Sequence, residues 1–474
     1  MFLRRTHVHR VGMANYIKYL VISLLAGVLI LSSPAHALKD KKQKTPKKAV
    51  VQEKVEQPKL VGRISFEDVL KRAKEHSYDL QIADYNVLIA KQDIRGARSE
   101  YFPKLNFMAG TEYTRNFRDI NDTTIMSVGD AFINPYTRFQ SVMGIVLSYN
   151  LFDFGARKNK LQIAKEDTAL RELEVQQELQ EMSLTLLDSY TKILITTKQI
   201  EHNEEILALE EKTLEMKERL FNAKEISKTE YNDAKASVAK TKAKISDLKY
   251  IREDALNWLS FYTGDKYDAN TLKIDELKKT DFDVLAFQDY TRSVIWKMHE
   301  KNIKKKELEL SIAKKNYLPK VNAYGRYYMY ASDHSNYGKA LGIEPSNMTF
   351  GASLSMPVFD GFQNSALVQK TELELKQLHI ERNKAIAEFM TRLASMRSNL
   401  VYLDEQVNEN AKALNELSDK EKSIHRLASK KVASPLDENE AKIELLNQQI
   451  ELEKNSITQI AITRGIQILT EENK

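Results

Sequence analysis

The stretch EYFPKLNFMAGTEYTRN, Glu100 to Asn116, decides the fold, because a helical pattern breaks there and an alternating one begins. Pro103 lacks a backbone donor and pushes Phe102 out of helical geometry, so the helix expected over Phe66 to Ser99 ends there. Beyond it Leu105, Phe107, Ala109, Thr111 and Tyr113 fall on one face, and Asn106, Met108, Gly110, Glu112 and Thr114 on the other. A period of two over about ten residues, with aromatic ends, is the pattern of a transmembrane β-strand. The pattern returns as NYLPKVNAYGRYYMYAS, Asn316 to Ser332. There Pro319 stops a second helix, and Tyr324, Arg326, Tyr328 and Tyr330 oppose Val321, Ala323, Gly325, Tyr327 and Met329.

Other landmarks recur as well. Tyr101-Phe102-Pro103-Lys104 matches Tyr317-Leu318-Pro319-Lys320 at an offset of 216 residues. LSYNLFDFG, Leu147 to Gly155, matches LSMPVFDGF, Leu354 to Phe362, at 207, as RLFNAKEISKTEYNDA from Arg219 matches RLASKKVASPLDENEA from Arg426. The chain therefore reads as two tandem repeats, 64–283 and 284–474. Each holds a helix, a β-hairpin (105–152, 321–359) and a long helical hairpin (156–260, 363–469). The return strands are expected at Phe139 to Phe152 and Met348 to Phe359, with exposed loops over 116–138 and 333–347 and Pro357 at the inner end of its strand. Leu179, Leu186, Ile193, Ile200, Leu207, Leu214 and Phe221 repeat every seven residues, which is coiled-coil spacing. A helix from Lys160 to Asn222 would be about 95 Å long, far more than a bilayer core of about 30 Å.

Residues 1–37 carry Arg4, Arg5, Arg10 and Lys18, an apolar run from Tyr19 to Leu31 and then Ala35-His36-Ala37, the order of a secretory signal peptide cleaved after Ala37. No later stretch reaches the roughly 20 apolar residues of a spanning helix, so any crossing must use strands. The formal charge of +6 resides in the signal and in a Lys-rich linker at 38–63, leaving 59 basic against 63 acidic side chains in residues 64–474. That balance gives nucleic acid no basic surface to bind. Without cysteine the chain has no disulfide and no thiolate. The scattered histidines form no metal motif, and no nucleophile, phosphate-loop or dinucleotide signature appears. We therefore expect neither enzyme chemistry nor cofactor nor metal.

Four strands per chain cannot close a barrel, and an open edge in lipid would leave backbone groups unpaired. Other copies must complete the sheet: two would give eight strands and three would give twelve, and the need for a duct favours three. A membrane-anchored structural or adhesive rod is the alternative that heptads alone allow.

The paired hairpins, the two strand ends LSYNLFDFG and LSMPVFDGF, LNWLSFYTGD from Leu256 to Asp265, and a Ser-x-x-acid-x-x-acid-Ala motif in both copies together resemble the TolC-type outer membrane factors from about Ile64 to Leu469. The resemblance implies a mixed α/β membrane protein. It would be a homotrimer with a 12-stranded transmembrane β-barrel in the outer membrane of a Gram-negative-type bacterium, continued into the periplasm by an α-helical coiled-coil barrel. It also implies a tripartite export system, with a periplasmic adaptor (membrane fusion protein) and an inner-membrane pump or secretion ATPase as partners.

At the hairpin tips the motif reads Ser227 with Glu230 and Asp233, and Ser434 with Asp437 and Glu440. Locally, each serine is expected to cap a helix, with the acid three residues on completing a capping box. In a trimer the acids would gather into rings at the inner mouth, and the resembled family carries such rings at the positions of Asp437 and Glu440. Lys224, Glu225, Lys430 and Lys431 are the expected adaptor-docking residues. The family's usual tip glycines are replaced by Lys224 or Glu225 in the first copy and by Lys430 in the second.

Overall fold

The computed structural model of the chain describes residues 62–115, 139–280 and 290–470, and the backbone of 126–128 and 131–133. The expected signal peptide, nearly all of the Lys-rich linker and most of the first loop lie outside the described residues. The chain enters through β1 (Arg63–Ile64), α1 (Phe66–His76) and α2 (Tyr78–Ser99). The single helix expected over Phe66 to Ser99 is thus two. Ser77, at φ −52° and ψ 125°, donates its N–H to the Ala73 carbonyl and accepts the Leu80 N–H on its side chain. One serine closes a helix and caps the next, a role that apolar spacing does not reveal.

Then follow β2 (Lys104–Tyr113), the short pair β3 (Met126–Val128) and β4 (Ala131–Ile133), β5 (Phe139–Phe152), α3 (Ala156–Asn222) and α4 (Lys228–Thr263). After β6 (Lys273–Ile274) come α5 (Val294–Lys315), β7 (Lys320–Asp333), α6 (Tyr337–Ala340), β8 (Glu344–Ser355), α7 (Gln363–Ser429) and α8 (Pro435–Thr470). Both α3 and α7 have 67 residues, about 100 Å of helix each, and both α4 and α8 have 36.

The two hairpins form one antiparallel sheet in the order β2-β5-β7-β8, with β5 pairing β7 across the repeats. The last strand ends at Ser355, four residues before the expected Phe359. Pro357 cannot donate to a ladder, and the strand gains at its other end, where Pro345 pairs Met329 beside a bulge. Register separates the faces. Leu105, Leu147, Gly325 and Phe350 form one cross-strand row, and Phe107, Ile145, Tyr327 and Met348 the next, both apolar. Rows of the opposite face read Asn106, Val146, Arg326, Thr349 and Lys104, Ser148, Tyr324, Gly351.

On that polar face two tyrosines cover glycines. A Cβ on Gly144 would lie 2.3 Å from the Tyr328 ring, and one on Gly351 would lie 2.6 Å from the Tyr324 ring. The rings thus lie against the sheet because the neighbouring strand offers them no side chain.

Near the sheet the helices lie side by side in the order α2-α3-α5-α7; farther along the order is α4-α3-α8-α7. Lys301 to Glu166 at 2.8 Å and Arg382 to Glu300 at 2.7 Å stitch the first group, and Lys249 to Glu204 at 2.8 Å the second. The exposed Lys249–Glu204 pair contributes about 1 kcal/mol at most, and the other two pairs are part-buried. The largest core gathers where α1, α3 and α4 meet, around Val69, Leu186, Tyr190, Ile193 and Leu259. Tyr190 is fully buried and donates its hydroxyl hydrogen to the Asp275 carbonyl at 2.6 Å, which holds β6 and its parallel partner β1 against α3.

Candidate functional site

Both helical hairpins turn in the same way. At the first tip the Lys224 N–H donates to the Phe221 carbonyl at 2.9 Å and the Glu225 N–H to the Leu220 carbonyl at 2.8 Å; at the second, Lys431 donates to Ala428 and Val432 to Leu427, each at 2.9 Å. These are Schellman turns, whose residue after the cap must be left-handed. Lys224 and Lys431 take that place with φ of 64° and 60°. The position expected for Lys430 therefore belongs to Lys431; Lys430 is the right-handed cap, at φ −88°. The side chains of Lys224, Glu225, Lys430 and Lys431 are all exposed.

The caps follow. Ser227 accepts the Glu230 N–H at 3.2 Å, and Ser434 accepts the Leu436 N–H at 3.0 Å. Asp437 reaches back to the Ser434 N–H at 3.0 Å, so this carboxylate completes a capping box. Glu230, Asp233 and Glu440 are exposed and, among the described residues, their carboxylates hold no partner. The acids thus divide into one engaged in its own helix and three without a partner at the tips.

Two contacts at the tips escaped sequence reasoning. Glu438 accepts from His425 at 2.8 Å and from Lys442 at 3.1 Å, joining α7 to α8, and the His425 hydrogen bond holds its carboxyl below the ordinary glutamate value. Asn439 donates to Thr213 at 3.1 Å, tying the second tip to the first hairpin. Neither has a local signature, because the partners lie 13 and 226 residues away.

Where strand becomes helix, the acid of each recurring FDFG or FDGF stretch holds the helix start. Asp153 accepts the Gly155 and Arg157 N–H groups at 3.1 and 3.0 Å, and Asp360 accepts the Asn364 N–H at 2.9 Å. Phe154 and Phe362 are left-handed there, at φ 53° and 68°.

Large apolar side chains are exposed selectively. Among the described helices of more than four residues they occur on α2 (Tyr78, Ile82, Tyr85, Leu88, Ile89), on α4 (Tyr250, Ile251, Trp258, Phe261) and on α7 (Leu367, Leu373, Ile380, Val401, Tyr402, Leu427). These helices flank the two layers, whereas α3, α5 and α8 lie inside them. Tyr78, Ile82, Tyr85 and Ile89 step by four, three and four; Leu373, Ile380 and Val401 lie on one seven-residue register with the exposed Ala387 and Ala394. The sheet repeats the arrangement, with Phe107 67% exposed on edge strand β2 and Phe350 70% on edge strand β8. No helix among the described residues is long and apolar enough to cross a membrane, and no group of three or more His, Cys, Asp or Glu there could hold a metal ion.

The family model described as outer membrane efflux protein matches residues 69–265 and 297–462, most of the chain. No curated protein sequence matches it. Among solved structures, the outer membrane protein VceC of Vibrio cholerae is 16% identical, with a TM-score of 0.70 over 86% of this chain and 97% of that one. The CmeC outer membrane channel of Campylobacter jejuni is 14% identical, with a TM-score of 0.69 over 86% and 87%. The open state of the MtrE outer membrane channel of Neisseria gonorrhoeae, 14% identical, scores 0.61 over 85% and 88%. The chain belongs to the outer membrane efflux protein family, whose members are transport channels, and its location is the outer membrane with the helical part in the periplasm.

Proposed function

We propose that this member of the outer membrane efflux protein family is the outer-membrane duct of a tripartite export system. Three copies close a 12-stranded barrel and a helical tunnel, and cargo passes without chemistry from an inner-membrane pump and a periplasmic adaptor to the outside. One observation carries the reading: apolar exposure is concentrated on the flanking helices and edge strands, on both sides of the chain. A surface of two different, complementary flanks closes into a ring by repeated head-to-tail contact. Ile82 at 59% and Ile380 at 69% exposure would then be covered by the neighbouring copies. The unpaired rows of β2 and β8 would pair with each other, as strands in lipid require.

The apolar sheet face would meet lipid and the polar face would line the lumen. At the far end the tips would dock the adaptor through Lys224, Glu225, Lys430 and Lys431, with Glu230, Asp233, Asp437 and Glu440 as acidic rings at the mouth. The equal lengths of α3 and α7, and of α4 and α8, support the division into repeats at 64–283 and 284–474. The anchored-rod alternative loses ground because both hairpins share one sheet, which sends both helical hairpins to the same side of it.

The test is native mass spectrometry of detergent-solubilised protein together with conductance in a planar bilayer. Parent protein should give three chains and open channels, and Ile82→Asp/Ile380→Asp should fall apart into monomers. A stable parent monomer would end the shared-barrel reading.

A further inference from the structure

The recurring Tyr-aromatic/Leu-Pro-Lys stretch has a second consequence in three dimensions. Its two lysines, Lys104 and Lys320, line one cavity of about 410 Å³ at the base of the sheet. They begin β2 and β7, each next to β5 in the sheet order, so strand pairing brings together residues 216 apart in sequence. The cavity is also lined by Glu100, Asp153, Arg157 and Lys160, giving four cations against two anions.

Both anions are already engaged. Glu100 binds Lys160 through its two oxygens at 3.0 and 3.1 Å. Asp153 holds Arg157 Nε at 3.0 Å as well as the start of α3. The Arg157–Asp153 pair is nearly buried, with the two side chains 12% and 8% exposed, and Arg157 also reaches the Glu100 carbonyl at 3.3 Å, which fixes the wall. Lys104 and Lys320 have no acidic partner among the described residues. Asn150 and Asn322, paired across β5 and β7 next to a bulge, add polar groups to the lining. A bulge at a polar cavity re-aims side chains, and an excess of two cations suits a ligand of opposite charge.

We propose that this cavity binds a small anion carrying two or more negative charges, held by Lys104 and Lys320, with the Nδ2 groups of Asn150 and Asn322 as neutral donors. The binding itself needs one chain only; that the ligand reaches the cavity from a lumen rests on the duct reading above. The two lysines of the repeat then act as one site, which explains why a charged residue follows the helix-ending proline in both copies.

Isothermal titration of the full-length, detergent-solubilised protein with inorganic pyrophosphate tests it, with glucose as the uncharged control. Parent protein should bind pyrophosphate and ignore glucose. Lys104→Gln/Lys320→Gln should lose about tenfold or more in affinity, and Lys104→Arg/Lys320→Arg should retain it. Both lysines are exposed, so the fold should tolerate either change, and an unchanged far-ultraviolet spectrum checks this. Equal affinity in parent and double-Gln protein, or no binding by parent protein, overturns the site. Binding that depends on the lysines in a preparation without conductance would leave the site standing and sink the duct instead.

Discussion

Lys224 and Lys431 hold the same left-handed position in two Schellman turns, φ 64° and 60°, at the ends of two helices of 67 residues each. A side chain with a Cβ is strained in this conformation, by roughly 1 kcal/mol. Each tip therefore retains lysine at a cost in stability.

Lys224→Gly and Lys431→Gly should each raise stability by about 1 kcal/mol. Guanidinium unfolding followed by circular dichroism measures it. A lowered midpoint would mean that the lysines make stabilising contacts in the assembled protein. If the tips dock an adaptor, the stabilised variants should also export less.

Tyr190→Phe leaves the Asp275 carbonyl without its 2.6 Å donor and should cost about 1–3 kcal/mol. Burial pushes the Tyr190 hydroxyl above its ordinary value of 10.0, so the folded state keeps this proton longer than the unfolded chain. Its contribution is complete below pH 10 and is lost as pH rises toward the folded value. Parent protein should therefore lose stability above pH 10 more steeply than Tyr190→Phe, and parallel curves would refute the assignment.

Glu438 titrates in the opposite sense. Its folded value lies below the ordinary 4.5, so its contribution is present above that pH and vanishes as pH falls through the lowered value. Unfolding midpoints of parent and Glu438→Gln should differ at neutral pH and converge in acid. A difference that persists below the titration would show that packing, not charge, is lost.

Asp437→Ala/Glu440→Ala separates capping from gating. Losing the Asp437 bond to the Ser434 N–H should cost about 1 kcal/mol, while Ser434 continues to cap the helix. If the acids ring the mouth, the channel should lose cation selectivity and block by trivalent cations. Selectivity unchanged in a planar bilayer would confine both residues to helix capping.

Local chemistry made most of the elements legible in the sequence. Periods of two and of three and a half, the prolines at 103, 319 and 357, and the serines at 227 and 434 act on their own neighbours, so their consequences can be read along the chain. Ser77 escaped because its two caps interrupt no apolar period. Lys430 was expected where Lys431 stands because a left-handed residue is chosen by which carbonyls its turn must satisfy, and that depends on where the helix stops. The tertiary structure decided what depends on distant pairing: β5 against β7, glycines under tyrosines, Glu438 on His425, Asn439 on Thr213, and two lysines from separate repeats on one cavity. Such contacts follow from register and helix order, which no short window of residues contains.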